Sequence, residues 1–185
     1  YTFTVTATNS AGTGAASAAS NAVTPTPAVT VPGAPTGIGA IAGNASATVS
    51  FSAPTNTGGA AISGYTVISS GGQTASGAAS PITVTGLTNG TTYTFTVTAT
   101  NSVGAGAAST VSNVVTPAGV PGAPSIVGTP TVGNLSATVS FTAPANTGGS
   151  AVLGYTVTSS GGQTASRAAS PITVTGLLAG TAYAF

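Results

Sequence analysis

The sequence contains no aspartate, glutamate, histidine, lysine or cysteine, and its one charged side chain is Arg167. Charged residues make up 1% of its 185 residues, against about 25% in an ordinary soluble domain. General acid–base catalysis needs a side chain that titrates near the working pH, and a hydroxyl nucleophile needs an adjacent base. Metal sites need imidazole, thiolate or carboxylate ligands. We therefore predict that the chain is not an enzyme, and that it holds no metal and no cofactor.

The near absence of charge also limits the partners of the chain. A net charge of +1 cannot neutralise the phosphates of a nucleic acid or hold an anionic membrane surface. No apolar run approaches the roughly 18 residues that a membrane-spanning helix needs. We expect no nucleic-acid binding and no membrane insertion by this segment. Because little charge repulsion keeps copies apart, contact with other copies or with neighbouring repeats is the expected association.

Copies of one repeat make up the whole sequence. Tyr1 corresponds to Tyr93, 92 residues later, and Tyr93 corresponds to Tyr183, 90 residues later. The proline-flanked segments 25–32 and 117–121 join the copies and are typical of short, semi-rigid connectors. We predict three units in chain order: the last two strands of a repeat at 1–26, a complete repeat at 31–117, and the front of a third at 120–185.

The first and last residues fall inside a repeat. One interpretation is that the sequence is a window on a longer array. Another is that the first strands of one chain complete the last sandwich of the next. We favour the window, since a genuine chain rarely starts inside a core strand.

Alternation of apolar and polar side chains predicts the strands. Tyr93, Phe95, Val97 and Ala99 alternate with threonines, which places all the apolar side chains on one face. The complete repeat has further predicted strands at 45–52, 64–69 and 82–87 and a last one near 112–116. A turn is predicted at 71–72 and a loop at 101–109. About seven short strands without helical periodicity predict an all-β, antiparallel sandwich.

Particular residues at particular spacings carry a family resemblance. An aromatic residue, Phe51, closes the second predicted strand, and Gly64-Tyr65-Thr66-Val67 begins the third. Leu87-Thr88-Asn89-Gly90-Thr91-Thr92-Tyr93 then leads into the alternating strand. With its proline-rich start and its Val-Thr-Pro end, the repeat resembles a fibronectin type III domain of secreted or surface-exposed bacterial proteins. The resemblance covers essentially the whole chain and implies tandem immunoglobulin-like, seven-stranded sandwiches.

The resemblance also implies a tyrosine corner between the fifth and sixth strands. Leu87 with Tyr93, and Leu177 with Tyr183, match the leucine and tyrosine of that corner, whose hydroxyl bonds back to the backbone. The sequence departs from the family at several positions. Phe51 and Phe141 stand where tryptophan is usual, Asn89 and Ala179 where proline is common, and no Arg-Gly-Asp tripeptide is present. Cell attachment through that tripeptide is therefore not implied.

We expect one apolar core in each sandwich. The residues expected to lie largely inside the complete repeat are Val49, Phe51, Tyr65, Val67, Ile82, Val84, Leu87, Tyr93, Phe95, Val97 and Val114. Their counterparts Phe141, Tyr155, Leu177 and Tyr183 are expected to have the same structural role in the third repeat.

The opposite face of the alternating strand is the candidate contact surface. It consists of Thr94, Thr96, Thr98 and Thr100. Simple β-propensity explains threonine on an exposed pleated face. Lateral packing against another copy is a second explanation, and ice binding is a third. We favour β-propensity, with lateral packing next.

Asparagine-containing triplets at 44–46, 89–91 and 134–136 are formal N-glycosylation acceptors. Each lies where a turn is predicted, and asparagine is favoured in turns. We interpret them as turns.

Two functions from different classes fit these observations. The first is a non-catalytic structural module outside the cell or on its surface: a spacer, stalk or fibre-forming repeat that associates through uncharged threonine, serine and alanine surfaces. The alternative is an accessory, carbohydrate-associated module of a secreted polysaccharide-degrading enzyme, with polysaccharide as a possible partner. Flanking sequence would separate the two.

Overall fold

A computed structural model describes residues 1–185 as strands, turns and extended segments. It has no helix that is long and apolar enough to cross a membrane. The predicted all-β class is confirmed.

The complete repeat folds into two antiparallel sheets. Its strands are β3 (Thr36–Gly43), β4 (Ser46–Ser52), β5 (Gly64–Ser69), β6 (Thr74–Gly77), β7 (Ile82–Thr85), β8 (Phe95–Thr100) and β9 (Ala105–Ala108). One sheet has the order β3-β4-β7 and the other β6-β5-β8-β9. The predicted seven-stranded sandwich is therefore confirmed. The strand that follows the proline-rich start, β3, lies at a sheet edge, where proline is tolerated.

The core lies between these sheets and follows from the alternation of side chains. In β8, Phe95, Val97 and Ala99 are 1%, 0% and 0% exposed, while the threonines between them are half-buried. Val67 of β5 lies beside Val97 in the same sheet, Val49 of β4 lies in the other sheet, and both are fully buried. Burial of each such valine or phenylalanine side chain stabilises the fold by about 1.5–3 kcal/mol. Thirteen buried residues form this cluster.

The last part of the complete repeat differs from the prediction. The strand β9 occupies part of the predicted loop, whereas the predicted strand near 112–116 makes only one bridge, between Val115 and Tyr93. Val115 is 9% exposed and Val114 is 63% exposed, so the prediction that Val114 lies inside was wrong. The inward positions here are Ser109, Ser112 and Val115, which recur every three residues and not every two.

Residues 1–26 form a hairpin around β1 (Thr8–Asn9) and β2 (Gly12–Thr13). Backbone hydrogen bonds extend it as far as Val23 N–H, which donates to Tyr1 C=O at 2.8 Å. This hairpin corresponds to β8 and the segment after it, without the other five strands. Phe3, the counterpart of Phe95, is consequently 61% exposed.

Residues 120–185 repeat the front of the sandwich. Their strands are β10 (Ser125–Ile126), β11 (Thr131–Gly133), β12 (Ser136–Val139), β13 (Phe141–Thr142), β14 (Tyr155–Thr158), β15 (Thr164–Arg167) and β16 (Ile172–Thr175). The sheet β11-β12-β16 has the order and register of β3-β4-β7. The short strands β10 and β13 pair separately. No strand here pairs with β14 as β8 pairs with β5, so β14 pairs only with β15.

Candidate functional site

The corner before β8 is held by a tyrosine hydroxyl. The Tyr93 hydroxyl accepts a hydrogen bond from Thr88 N–H at 3.1 Å, and Leu87 beside it is 3% exposed. Its counterpart Tyr183 accepts one from Leu178 N–H, also at 3.1 Å. In both segments the hydroxyl ties the strand to the backbone of the preceding turn.

The predicted core residues of the complete repeat divide into a centre and a rim. Tyr65, Phe95 and Val97 are 8%, 1% and 0% exposed. Phe51 is half-buried, and its ring centroid lies 4.8 Å from that of Tyr65. It packs against the edge of the core, where β7 no longer pairs with β4.

The corresponding residues of the third unit are less enclosed. Leu177 is 7% exposed, whereas Phe141, Tyr155 and Tyr183 are half-buried. The Phe141 and Tyr155 ring centroids are 4.7 Å apart, as in the complete repeat. Tyr155 is more open than Tyr65 because residues 120–185 contain no counterpart of β8 to pair with β14.

Two buried serines accept the hydrogen bonds of β8 N–H groups that the carbonyls of a neighbouring strand would otherwise accept. Ser109 N–H donates to Val97 C=O at 2.9 Å, and Val97 N–H donates back to the Ser109 side-chain Oγ at 3.0 Å. Ser112 makes the same pair with Phe95, at 2.9 and 3.0 Å. Sequence reasoning missed these residues. Their signal is the Ser-x-x-Ser-x-x-Val spacing, which also stands at Ser17 and is neither helical nor strand-like.

An asparagine closes the gap between the two sheets. The Asn113 Oδ1 atom accepts from Ala40 N–H at 2.9 Å, and its Nδ2 atom donates to Ala40 C=O at 3.0 Å. One side-chain amide thus pairs with the edge strand β3 as a neighbouring strand would. No sequence pattern identified this contact.

A second asparagine fastens the linker that precedes the complete repeat. Asn101, at the end of β8, is 4% exposed, and its Nδ2 atom donates to Thr30 C=O at 2.7 Å and Thr57 C=O at 2.9 Å. Its Oδ1 atom accepts from the N–H groups of Val103 and Gly104 at 2.9 and 3.3 Å. One side chain therefore connects the linker and two loops.

The predicted threonine face lies on the outer side of the four-stranded sheet. Thr94, Thr96, Thr98 and Thr100 are all half-buried, since neighbouring strands flank β8 on both sides. Ile68 of β5 lies directly opposite Thr96 in the register and is 43% exposed. The face is therefore uncharged and partly apolar.

The linker after the complete repeat is bonded to the repeat behind it. Gly90 N–H donates to Pro117 C=O at 2.9 Å, and Ala118 N–H donates to Gly43 C=O at 3.2 Å. The Asn89 side chain braces the same end, since its Oδ1 atom accepts from Ala45 N–H at 2.8 Å. Its Nδ2 atom also donates to the Oδ1 atom of Asn44 at 2.8 Å.

The same linker is bonded to the unit in front of it. Gly119 N–H donates to Gly148 C=O at 2.7 Å, and Gly122 N–H donates to Asn146 C=O at 2.8 Å. The six residues 117–122 thus join the rear corner of one repeat to the front loop of the next.

The asparagine triplets lie in turns, as interpreted from the sequence. Asn44 and Asn134 each precede a residue in the left-handed region, Ala45 at φ 47° and Leu135 at φ 45°. Asn89 precedes Gly90, whose φ is 82°.

Two cavities lie in residues 120–185. The larger, about 470 Å³, is lined by the β11–β12 turn and by residues 177–183. In the complete repeat the corresponding surface carries Val115, which bridges Tyr93, and Ala118, which bonds Gly43. The smaller, about 180 Å³, is lined by β14 and by Ile126, Phe141 and Phe185. Both are uncovered parts of a sandwich core.

Comparison with known proteins identifies the central part of the chain. The fibronectin type III domain family matches residues 33–115. Endoglucanase B of Cellulomonas fimi is 38% identical over 144 residues, which are 70% of this chain and 14% of that protein. Exoglucanase B of Cellulomonas fimi is 34% identical over 196 residues, which are 100% of this chain and 18% of that protein.

A solved structure of the chicken CNTN1 FN1-FN3 domains is 22% identical, with a TM-score of 0.44. The likeness covers 77% of this chain and 52% of that one. The family match coincides with the seven-stranded sandwich built from β3 to β9. Residues 33–115 are therefore a fibronectin type III domain, flanked on both sides by segments that repeat its sequence.

Proposed function

We propose that the chain is a non-catalytic spacer, made of successive fibronectin type III repeats, in an extracellular or cell-surface protein. Its units are the end of one repeat at 1–26, a complete repeat at 31–117 and the front of another at 120–185. One observation carries the proposal. The whole chain aligns with Exoglucanase B while spanning 18% of that protein's length, so the shared part is a minor segment of a larger protein.

The side-chain inventory supports a non-catalytic role. Without carboxylate, imidazole, thiol or lysine amine, the chain has no group to move protons near neutral pH. The buried serines are already engaged, because each hydroxyl accepts from a β8 N–H and donates to a backbone carbonyl at 2.7 Å. They are structural groups and not nucleophiles.

The relatives support this setting. Two proteins named as glucanases carry segments like this one, which favours an accessory module of a polysaccharide-degrading enzyme. An enzyme that degrades a polymeric glucan works where the polymer is, outside the cell. In that setting the repeats would hold other domains of the protein at a distance.

Binding and turnover assays on glucan test this proposal. The purified chain is mixed with microcrystalline cellulose and with soluble carboxymethylcellulose. We expect the protein to stay in the supernatant and the reducing-end concentration to stay at the blank. Retention on cellulose would overturn the passive spacer, and new reducing ends would overturn the non-catalytic role.

A second candidate is a fibre-forming or adhesive repeat that associates through the threonine face. The observation that favours it is Ile68, an apolar side chain exposed beside Thr96 on a face without charge. Sedimentation velocity at rising concentration tests it, with Ile68→Lys as the disrupting variant and Ile41→Lys as its control. Ile41 is 73% exposed but lies on β3, in the other sheet. Association that only Ile68→Lys abolishes would support this candidate, and a monomer at all concentrations would exclude it.

A further inference from the structure

We infer that the complete repeat and the repeat after it dock end to end through a fixed joint. The loop Asn146–Gly149 of the later unit lies against the corner Asn89–Gly90 of the earlier one. The inference deepens the spacer proposed above and rests on it for its biological meaning, because a fixed joint makes the spacer a rod and not a flexible tether.

The contact between the two units is backbone against backbone. A methyl group at Gly149 would overlap Gly90 N and would lie 2.6 Å from the Asn89 carbonyl carbon. A methyl group at Gly90 would lie 3.2 Å from Gly149 Cα. Such spacings leave no room for a water layer, so the two turns touch directly.

The linker has equally little room. A methyl group at Gly119 would lie 2.9 Å from the Asn44 side-chain Cγ and 3.0 Å from the Asn89 Nδ2 atom. A methyl group at Gly148 would lie 2.8 Å from Val120 C=O. Glycine at these positions allows the rear corner, the linker and the front loop to stack without a gap.

Four hydrogen bonds then fix the orientation. Pro117 C=O and Ala118 N–H bond to Gly90 and Gly43 of the earlier unit, and Gly119 N–H bonds to Gly148 of the later unit. Gly122 N–H, directly after the linker, bonds to Asn146 of the same loop. Rotation of one unit against the other would break bonds on at least one side. Relative motion is the usual expectation for linked domains with small interfaces. Here both ends of the segment 117–122 are bonded, which removes the freedom that such motion needs.

The linker before the complete repeat provides an internal comparison. Its front half is the same, because Thr30 N–H donates to Gly58 C=O at 2.8 Å as Gly119 does to Gly148. It is three residues longer between its outer prolines, and Val29 Cα is the nearest atom to a methyl group at Gly59, at 4.0 Å. Tyr1 corresponds to Tyr93, so the counterparts of Asn89 and Gly90 are not among residues 1–185. Gly59 is therefore the same loop glycine as Gly149 without a corner against it.

The joint is a head-to-tail contact, in which two different surfaces meet. Contacts of this kind generate open, rod-like or helical arrays when they recur. Because neither surface carries a charge, the joint is not weakened by salt.

Distance measurements between spin labels test the inference. The chain has no cysteine, so the double substitution Ala79→Cys and Ala169→Cys gives one label at the same exposed loop of each unit. Double electron–electron resonance should show a single narrow distance peak. Gly149→Ala should abolish the narrow peak. Gly59→Ala is the matched control and should leave the peak intact, because its φ is 82° against 84° at Gly149 and its nearest neighbour is 4.0 Å away.

A second variant guards against misfolding of the substituted loop. Inserting Pro-Ala-Val between Ala118 and Gly119 gives the later linker the length of the earlier one and alters no folded residue. It should also abolish the narrow peak. A broad distribution in the parent, or a narrow peak that survives both changes, would overturn the fixed joint and leave the spacer standing. Retention on cellulose would instead overturn the spacer and leave the joint unaffected.

Discussion

Replacing Asn101 with alanine tests how strongly one buried amide holds the linker to the sandwich. The change removes two donated bonds, to Thr30 and Thr57 C=O, and two accepted bonds, from Val103 and Gly104 N–H. Each net bond is worth about 0.5–1.5 kcal/mol, and both carbonyls belong to exposed residues that water can reach once the amide is gone. The lower part of that range applies, so the expected loss is about 2–3 kcal/mol in the free energy of unfolding.

Urea unfolding followed by tyrosine fluorescence measures this loss. With an m-value of about 1–3 kcal/mol/M, the midpoint should fall by about 0.7–3 M. The matched control is Asn9→Ala, the same residue of the first unit, whose exposed side chain accepts only from Ala11 N–H at 2.9 Å. A midpoint shift for Asn101→Ala as small as that for Asn9→Ala would refute the assignment of this amide as the anchor of the linker.

For the variant Asn101→Asp, the same contacts predict the direction in which stability changes with pH. It keeps the acceptor oxygen but directs a carboxylate at two carbonyl oxygens, so burial and repulsion raise its folded-state pKa above the unfolded value of about 3.9. The protonated acid can donate one of the two bonds that the amide donates, so the variant is most stable below that unfolded value. That stability is lost as the pH rises through the folded-state pKa. A variant that is more stable at neutral than at acid pH would contradict this.

Three further predictions follow from the core, one turn and the composition. Phe95→Ala should lower the free energy of unfolding by about 3–5 kcal/mol, from lost burial plus the cavity left behind, whereas Phe3→Ala at the 61% exposed counterpart should be near neutral in the same urea assay. Ala45→Gly should raise the urea midpoint. Relief of the left-handed conformation (φ 47°) stabilises the folded state by about 1–2 kcal/mol, whereas the greater chain entropy of glycine destabilises it by about 0.4–1 kcal/mol. A lower midpoint would count against strain at this turn. The free energy of unfolding of the unsubstituted chain should be constant from about pH 4.5 to 7, because the chain has no aspartate, glutamate or histidine to titrate there. A change in stability over that range would contradict this prediction.

The sandwich could be predicted because its signals are local. Strict alternation in β8 separates Phe95 and Val97 from the threonines, and a strand has only two faces. Glycine and proline at the turns limited the strand lengths, so β5 has the bounds that were predicted. The corner tyrosine was reached through family resemblance and not through alternation.

The end of the complete repeat could not be predicted in this way. Alternation placed Val114 inside, but the segment follows a three-residue spacing in which Ser109 and Ser112 give their hydroxyls to β8. A buried serine has no apolar signature in a sequence. Its burial can be explained only when the N–H groups of β8 that need an acceptor are known.

The sequence by itself determined the all-β class, the repeat length and the lack of acid–base chemistry, because composition and alternation are properties of neighbouring residues. Only the tertiary structure decided the roles of Asn101, Asn113 and Gly149, because each contacts a partner more than 40 residues away along the chain. Threonines that seemed to form a separate polar face proved half-buried between neighbouring strands. The two repeats meet instead at glycine turns, where the absence of a side chain allows two backbones to contact each other.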